Sequence, residues 1–329
     1  MVKKTADGRQ LEFDVLFDAL PDIAFRDQRD ALERPLVSLS KNPRTEPIEY
    51  WFDDLFVRII PNQGYGQPTI WDYDIIIYLL GQVNTRFKHQ RDGKAEPAPR
   101  MIKVEGGHLQ APGWEWEKPG ILVAPKALLT AIGRGSGGRD FEELRAAIGR
   151  LQSCMIETNI WHGKKLKRFK RFSLIHDFEE LEPSASASGG MRFLLPDWMI
   201  DSVKSRKGIF TIHPSYFDLA GGYERFLYRI ARKYVGRQAI TVPMKMATLR
   251  EKSGSPMILR DFAKSIRKAV AKADIPEYHF CIERNQLGEE ILKMRWLKGL
   301  KSACEDDPEE GSGNDTPLPT PPSLDHQQE

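Results

Sequence analysis

Five basic residues, Arg260, Lys264, Arg267, Lys268 and Lys272, recur at helical spacing through a stretch whose only acid is Asp261. Lysine and arginine neutralise phosphates, and both reach the guanine acceptors on the floor of the major groove. Ile258, Phe262, Ile266, Ala269, Val270 and Ala273 recur beside them at nearly the same spacing. A helix over 257–273 would therefore have one apolar and one cationic side. Such a cylinder fits the major groove of double-stranded DNA. A merely solvated charged face is the competing reading, although ordinary surface helices mix the two signs. A preceding helix adds Arg225, Arg229, Arg232, Lys233 and Arg237. The sequence does not sort which of these touch phosphate and which pair with acids.

Two further clusters suit a polyanion. Between His162 and Phe172 stand Lys164, Lys165, Lys167, Arg168, Lys170 and Arg171, with no acid and with Leu166, Phe169 and Phe172 interleaved. A ribbon of this kind can follow a phosphate backbone or enter a minor groove. Lysines that guard a strand edge against aggregation would look similar. The turn GRGSGGRD places Arg134 and Arg139 around four glycines at the entrance of a helix over 140–154. Glycine N–H groups beside a helix N-terminus could cradle a phosphate, or the glycines could serve only a sharp turn. On that helix Phe141, Leu144, Ile148 and Leu151 point inward, and Arg139, Arg145 and Arg150 are offset by Glu142 and Glu143.

Catalytic patterns are missing. Gly133 and Gly138 have nucleotide-loop spacing, yet Arg139-Asp140 stands where Lys-Ser/Thr is required and a helix precedes them. No two histidines stand one residue apart, so the metal-binding pair of rolling-circle nicking enzymes is absent. Cys154, Cys281 and Cys304 lack metal-ligand spacing. Neither a cofactor nor an active site is expected.

The elements that would position these residues repeat. Helices over 72–83, 125–132 and 140–154 lead into a hairpin of 155–161 and 166–178. Helices over 223–235, 243–252 and 257–273 lead into a hairpin of 278–283 and 290–297, turned at 285–288. Pro243 suits a first helical position. Asp72 and Asp74 occupy a first turn, where the helix dipole favours negative charge. Helix, helix, turn, helix, hairpin is the winged helix-turn-helix plan. The expected fold class is therefore α+β, with two tandem winged helix-turn-helix domains. A pair of small α+β domains with no nucleic-acid role is the plainer alternative.

The 329 residues suffice for two domains. Domains are expected over 31–181, with a loop-rich insertion at 89–120 holding a short strand at 100–105, and over 191–301. Between them, EPSASASGG at 182–190 has linker composition. Residues 1–30 are expected to be a flexible segment, and 302–329 a disordered tail. That tail has eight acids and no Lys or Arg; the overall charge of +3 balances it against a body of +11. A basic body points to a polyanion partner. No apolar run is long enough for a membrane span, no secretory signal is seen, and three scattered cysteines suit the reducing cytoplasm.

Three stretches resemble the plasmid replication initiator protein A family: LERPLVSLSK at 32–41, YGQPTIWDYDI at 65–75, and GRGSGGRDFEEL at 133–144 continuing through Arg150-Leu151 to ETNI at 157–160. The resemblance implies a non-catalytic initiator that binds direct repeats of origin DNA, helps to open the duplex and recruits the host replication initiator and replicative helicase. It also implies possible self-association as a dimer that represses its own promoter. A winged-helix transcriptional regulator, or an enzyme using winged helices as DNA clamps, would share the same basic surfaces.

Overall fold

The computed structural model describes residues 13–18, 23–28, 36–52, 55–93, 100–103, 120–159, 169–181, 190–205, 209–272 and 274–297. The elements run β1 (Phe13–Asp18), β2 (Arg26–Gln28), β3 (Ile48–Phe52), β4 (Leu55–Ile60), α1 (Tyr73–Arg91), β5 (Arg100–Lys103), β6 (Gly120–Val123), α2 (Pro125–Ala131), α3 (Gly138–Ser153), β7 (Met155–Thr158) and β8 (Lys170–Phe172). They continue as β9 (Asp177–Leu181), β10 (Gly190–Leu194), α4 (Asp197–Ser205), β11 (Ile209–Thr211), α5 (Gly222–Tyr234), β12 (Thr241–Lys245), α6 (Met246–Ser253), α7 (Leu259–Lys272), β13 (Tyr278–Arg284) and β14 (Glu290–Trp296). Helices and sheets are thus mixed along the chain. Among the described residues the strands form sheets ordered β5-β1-β6-β10-β9, β3-β4-β7-β8, β12-β14-β13 and β11-β2.

α1 is central because its sequence is apolar nearly all round. Every residue from Tyr73 to Arg86 is buried. It runs to Arg91, eight residues beyond the expected end, and so takes in the start of the stretch read as an insertion. The later part of that stretch supplies β5, which pairs antiparallel with β1 as an edge strand of the five-stranded sheet.

Two stretches share an order of helix, strand, helix, helix and hairpin. The first unit, taken with the preceding β1–β4, is α1, β6, α2, α3, β7 and β8, with β5 inserted between α1 and β6; the other is α5, β12, α6, α7, β13 and β14. They differ in their sheets. β12 joins its own hairpin, whereas β6 enters the five-stranded sheet and β7 pairs with β4.

Several expectations need correction. Within residues 1–30, expected to be a flexible segment, Phe25 and Asp27 are buried, and β2 pairs with β11, about 180 residues further along the chain. Three-residue strands carry too little periodicity to be read from sequence. The strands on either side of 182–189, expected to be a linker, share one sheet: Gly190 lies opposite Leu181 in an antiparallel β9–β10 pair, and β10 also pairs with β6. Turn and linker compositions are the same. The strand expected over 166–178 is two strands in different sheets, parted where buried Leu174 and Ile175 both donate to the Leu151 carbonyl. Pro243 begins no helix; it lies in β12, opposite Lys293 of β14. β12 is an edge strand, where a missing N–H is tolerated. The acidic tail at 302–329 lies outside the described residues.

The two units are held face to face by buried ion pairs. Asp74 of α1 accepts two bonds from Arg225 Nη1 of α5, at 2.6 and 2.8 Å. Arg225 also donates to the carbonyls of Leu219 and Phe217 at 2.8 and 2.9 Å. One helical turn on, Arg229 meets Asp27 of β2 at 2.9 Å and lies over the Tyr73 ring. Gly222 at the start of α5 permits the contact: a Cβ there would stand 2.0 Å from the Leu39 carbonyl oxygen. Burial pushes the Asp74 carboxyl up to about 6, although Arg225 and then Arg134 pull it down. Removing one partner of such a pair leaves the other charge buried without compensation, a loss of about 3–5 kcal/mol. Asp74→Asn keeps the side-chain shape and should lose that amount in urea unfolding. A loss below about 1 kcal/mol would show that the pair does not hold the units together.

Candidate nucleic-acid interface

α7 is positioned from both ends. Gly254, at φ 61°, stops α6 with its N–H on the Glu251 carbonyl. This left-handed conformation favours glycine. Ser253 Oγ then donates to the Arg250 carbonyl and accepts from the Ser255 N–H, which fixes the turn. Phe262, Ala263, Ile266 and Ala269 anchor the helix in the core, with Phe262 edge-on to Tyr223 of α5 at 5.7 Å.

Ile258, expected in the apolar stripe, is instead 57% exposed. The helix starts one residue later, so Ile258 is the flanking residue whose carbonyl accepts from the N–H groups of Asp261 and Phe262. Val270 is half-buried, and Ala273 lies outside the described residues.

The five cations expected on the other side are all exposed. At 100° per residue they span an arc of about 140°, opposite the buried positions. Their partners differ. Arg260 Nε lies 3.0 Å from the adjacent Asp261 carboxylate and remains 82% exposed. Arg267 donates to Glu290 of β14 at 2.5 Å, which ties the helix to its hairpin. Lys264, Lys268 and Lys272 have no acid partner among the described residues.

Sequence reasoning missed the groove beside this arc, of about 520 Å³. Arg260 and Arg267 line it with Lys245, Arg284, Glu289 and Glu290. Lys245 falls within the helix expected over 243–252 but ends β12, and its ammonium lies 2.9 Å from Glu289. Only the strand alternation of 241–245 could have revealed it.

The corresponding helix of the first unit is electrically quieter. Arg139 is 3.3 Å from Glu143, and Arg145 grips Glu180 of β9 with bonds of 3.1 and 2.7 Å. Arg150 grips Asp72 at 2.8 and 2.9 Å. Asp72, expected in the first turn, is the residue just before α1, so it holds α3 to the start of that helix, and only Asp74 of the two acids lies in the first turn. Arg134 is mostly covered, bonded to the Trp71 carbonyl and 3.8 Å from Asp74. In the glycine turn, Gly133 is left-handed at φ 70° and its N–H goes to the Thr130 carbonyl. Asp140 accepts from the Gly137 N–H at 2.8 Å. This geometry supports the sharp-turn reading over the phosphate cradle. In the expected ribbon, Lys164, Lys165, Lys167 and Arg168 lie outside the described residues. Lys170 and Arg171 lie in β8, and exposed Arg171 meets Glu157 at 2.7 Å.

The arginines of α5, left unsorted by the sequence, pair inside the protein. Arg225 and Arg229 are buried against the first unit's acids, and Arg232 donates to the Thr211 carbonyl. They build the interior and present no surface to a polyanion.

Comparison with known proteins finds relatives of this sequence and a solved structure of similar fold. Over 260 residues the chain is 28% identical to a Wigglesworthia glossinidia brevipalpis protein named for replication, covering 78% of this chain and 84% of that one. Its fold is similar to the crystal structure of domains 2 and 3 of RctB, with a TM-score of 0.54 at 11% identity, covering 82% of this chain and 98% of that one. The model of the Replication initiator protein A family matches residues 26–280, and the chain belongs to that family.

If the glycine turn is structural, its cap matters to folding. Asp140→Ala frees the Gly137 N–H and should lower stability by about 0.5–2 kcal/mol, as removal of a helix cap does. Urea titration reads this directly; unchanged stability would remove the cap from the account.

Proposed function

We propose that this protein starts plasmid replication by binding double-stranded DNA repeats at the origin, with α7 in the major groove, and that it has no catalytic chemistry of its own. One observation carries the reading: a helix anchored by Phe262 and Ile266 turns an arc of five exposed cations outward, three of them without an acid partner among the described residues. The two units of shared element order are read as winged helices, with β13–β14 as the second wing and β7–β8 as the base of the first. Arg260 and Arg267, lining the groove beside the wing, are assigned to base edges. Lys264, Lys268 and Lys272 are assigned to phosphates. This division follows the usual one, in which phosphate contacts position the protein and base contacts specify sequence.

Arg139, Arg145 and Arg171 are exposed but already paired, so a phosphate would have to compete with Glu143, Glu180 and Glu157. Arg134 is the weakest of the candidates for the same reason. Duplex opening, recruitment of the host replication initiator and replicative helicase, self-association as a dimer and a cytoplasmic location belong to this reading through family membership. Opening would draw on binding energy.

Anisotropy of a labelled duplex from the DNA flanking the gene tests the proposal. Lys264→Ala with Lys268→Ala should reduce the slope of log affinity against log salt by about 0.9 for each phosphate that the protein no longer neutralises. Arg260→Ala with Arg267→Ala should erase the preference for that duplex over a scrambled one. Wild-type slope and wild-type preference in both variants would reject α7 as the DNA-binding helix.

A further inference from the structure

The four-stranded sheet β3-β4-β7-β8 has one covered and one open face. Val57, Ile59 and Ile156 alternate onto the covered face and are fully buried. Residues directly opposite one another share a face, and so do residues two apart along a strand. The register therefore lays two rows across the open face.

One row is ionic and self-satisfied. Arg58 lies 3.6 Å from Glu49 and 3.8 Å from Glu157, and Arg171 lies 2.7 Å from Glu157. The neighbouring row is aromatic. Trp51 packs on Phe56 with ring centres 4.7 Å apart, and Phe56 stacks on Phe169 at 6.2 Å with planes 22° apart. The Arg171 guanidinium lies 5.6 Å from the Phe169 ring centre. Trp51 is 63% exposed and Phe169 55% exposed, so both present ring surface to water.

Nothing in core packing needs this arrangement, because the sheet buries its other face. Large exposed rings in a contiguous row mark a binding surface. The charge of the adjoining chain selects the class of partner. By sequence, the residues on either side of Phe169, from 164 to 171, include six Lys or Arg and no acid, of which Lys170 and Arg171 lie in β8. Exposed rings in a chain so rich in cations are the pairing that holds single-stranded nucleic acid, since every base has a face to stack and every nucleotide a phosphate. Duplex DNA hides its base faces and would gain nothing from the rings.

The geometry points to a single-stranded DNA platform on the open face of this sheet, with unpaired bases stacked on Trp51 and Phe169. The choice of nucleic acid over a protein partner rests on the proposed role in replication, where opening a duplex creates single strand. The site itself is independent of α7.

The test uses the full chain, fluorescein-labelled (dT)20 and a labelled origin duplex. Trp51→Ala with Phe169→Ala should weaken (dT)20 binding by about tenfold for each ring, within the range of alanine substitutions at stacking residues. Duplex affinity should stay within about twofold. Trp51→Phe with Phe169→Tyr should retain (dT)20 binding, which separates stacking from any disturbance of the sheet. Lys264→Ala with Lys268→Ala should show the opposite pattern, losing duplex and keeping (dT)20. If that α7 variant keeps its duplex affinity, the proposed function fails while the platform stands. The platform is overturned by a wild-type chain that does not bind (dT)20, by unchanged binding in the alanine variant, or by equal losses on both DNAs. It is also overturned if sedimentation shows wild-type self-association that the alanine variant abolishes while (dT)20 binding persists, since the rings would then be a contact between copies.

Discussion

Two buried ion pairs organise this molecule. Arg225 and Arg229, one turn apart on α5, enter the first unit and meet Asp74 of α1 and Asp27 of β2. Transferring such charges from water is expensive, and the protein offsets the cost with a second layer of partners: two carbonyls on Arg225, and the rings of Trp71, Tyr216 and Tyr73. Pairs of this kind tolerate little misplacement. They fix the register of α5 against α1, and through it the direction in which α7 and its hairpin face. Strand exchange strengthens the same junction, because β2 pairs with β11 and β10 completes a sheet begun by β1 and β6.

The arginines and lysines are sorted by helix. On α5 the arginines point inward, Arg225 and Arg229 toward acids contributed by the other unit and Arg232 toward the Thr211 carbonyl. On α7 the positive charge points outward, and among the described residues only Arg260 and Arg267 touch acids. On α3 each of Arg139, Arg145 and Arg150 has its own carboxylate. The two units therefore share an order of elements but not a surface. α7 presents the more open positive charge, and the first unit's distinctive surface is the open face of its sheet.

Periodicity made the long elements legible. The apolar face of α7, the hairpin after it and the central position of α1 could all be read from spacing, because each spans several turns or alternations. What could not be read depended on distance along the chain. Asp27 and Arg229 are about two hundred residues apart in sequence, so nothing local marks β2 as interior and not part of a flexible leader. The same limit applied to Arg225, whose spacing on α5 resembles that of Lys264 and Lys268 on α7. Local composition misled at 182–190, where small polar residues suit a hairpin connection as well as a linker. It also misled at Pro243, which fits an edge strand as well as a first turn. The aromatic row was invisible because Trp51 of β3, Phe56 of β4 and Phe169, just before β8, come together only through the register of β3, β4, β7 and β8.

The central claim is that the exposed arc of α7 meets duplex DNA while the α5 arginines stay inside. Lysine acetylation footprinting, read by mass spectrometry with and without origin duplex, tests it residue by residue. Lys264, Lys268 and Lys272 should react readily in the free protein and be protected in the complex. Equal reaction rates at all three with and without DNA, under conditions where the protein is saturated, would contradict it.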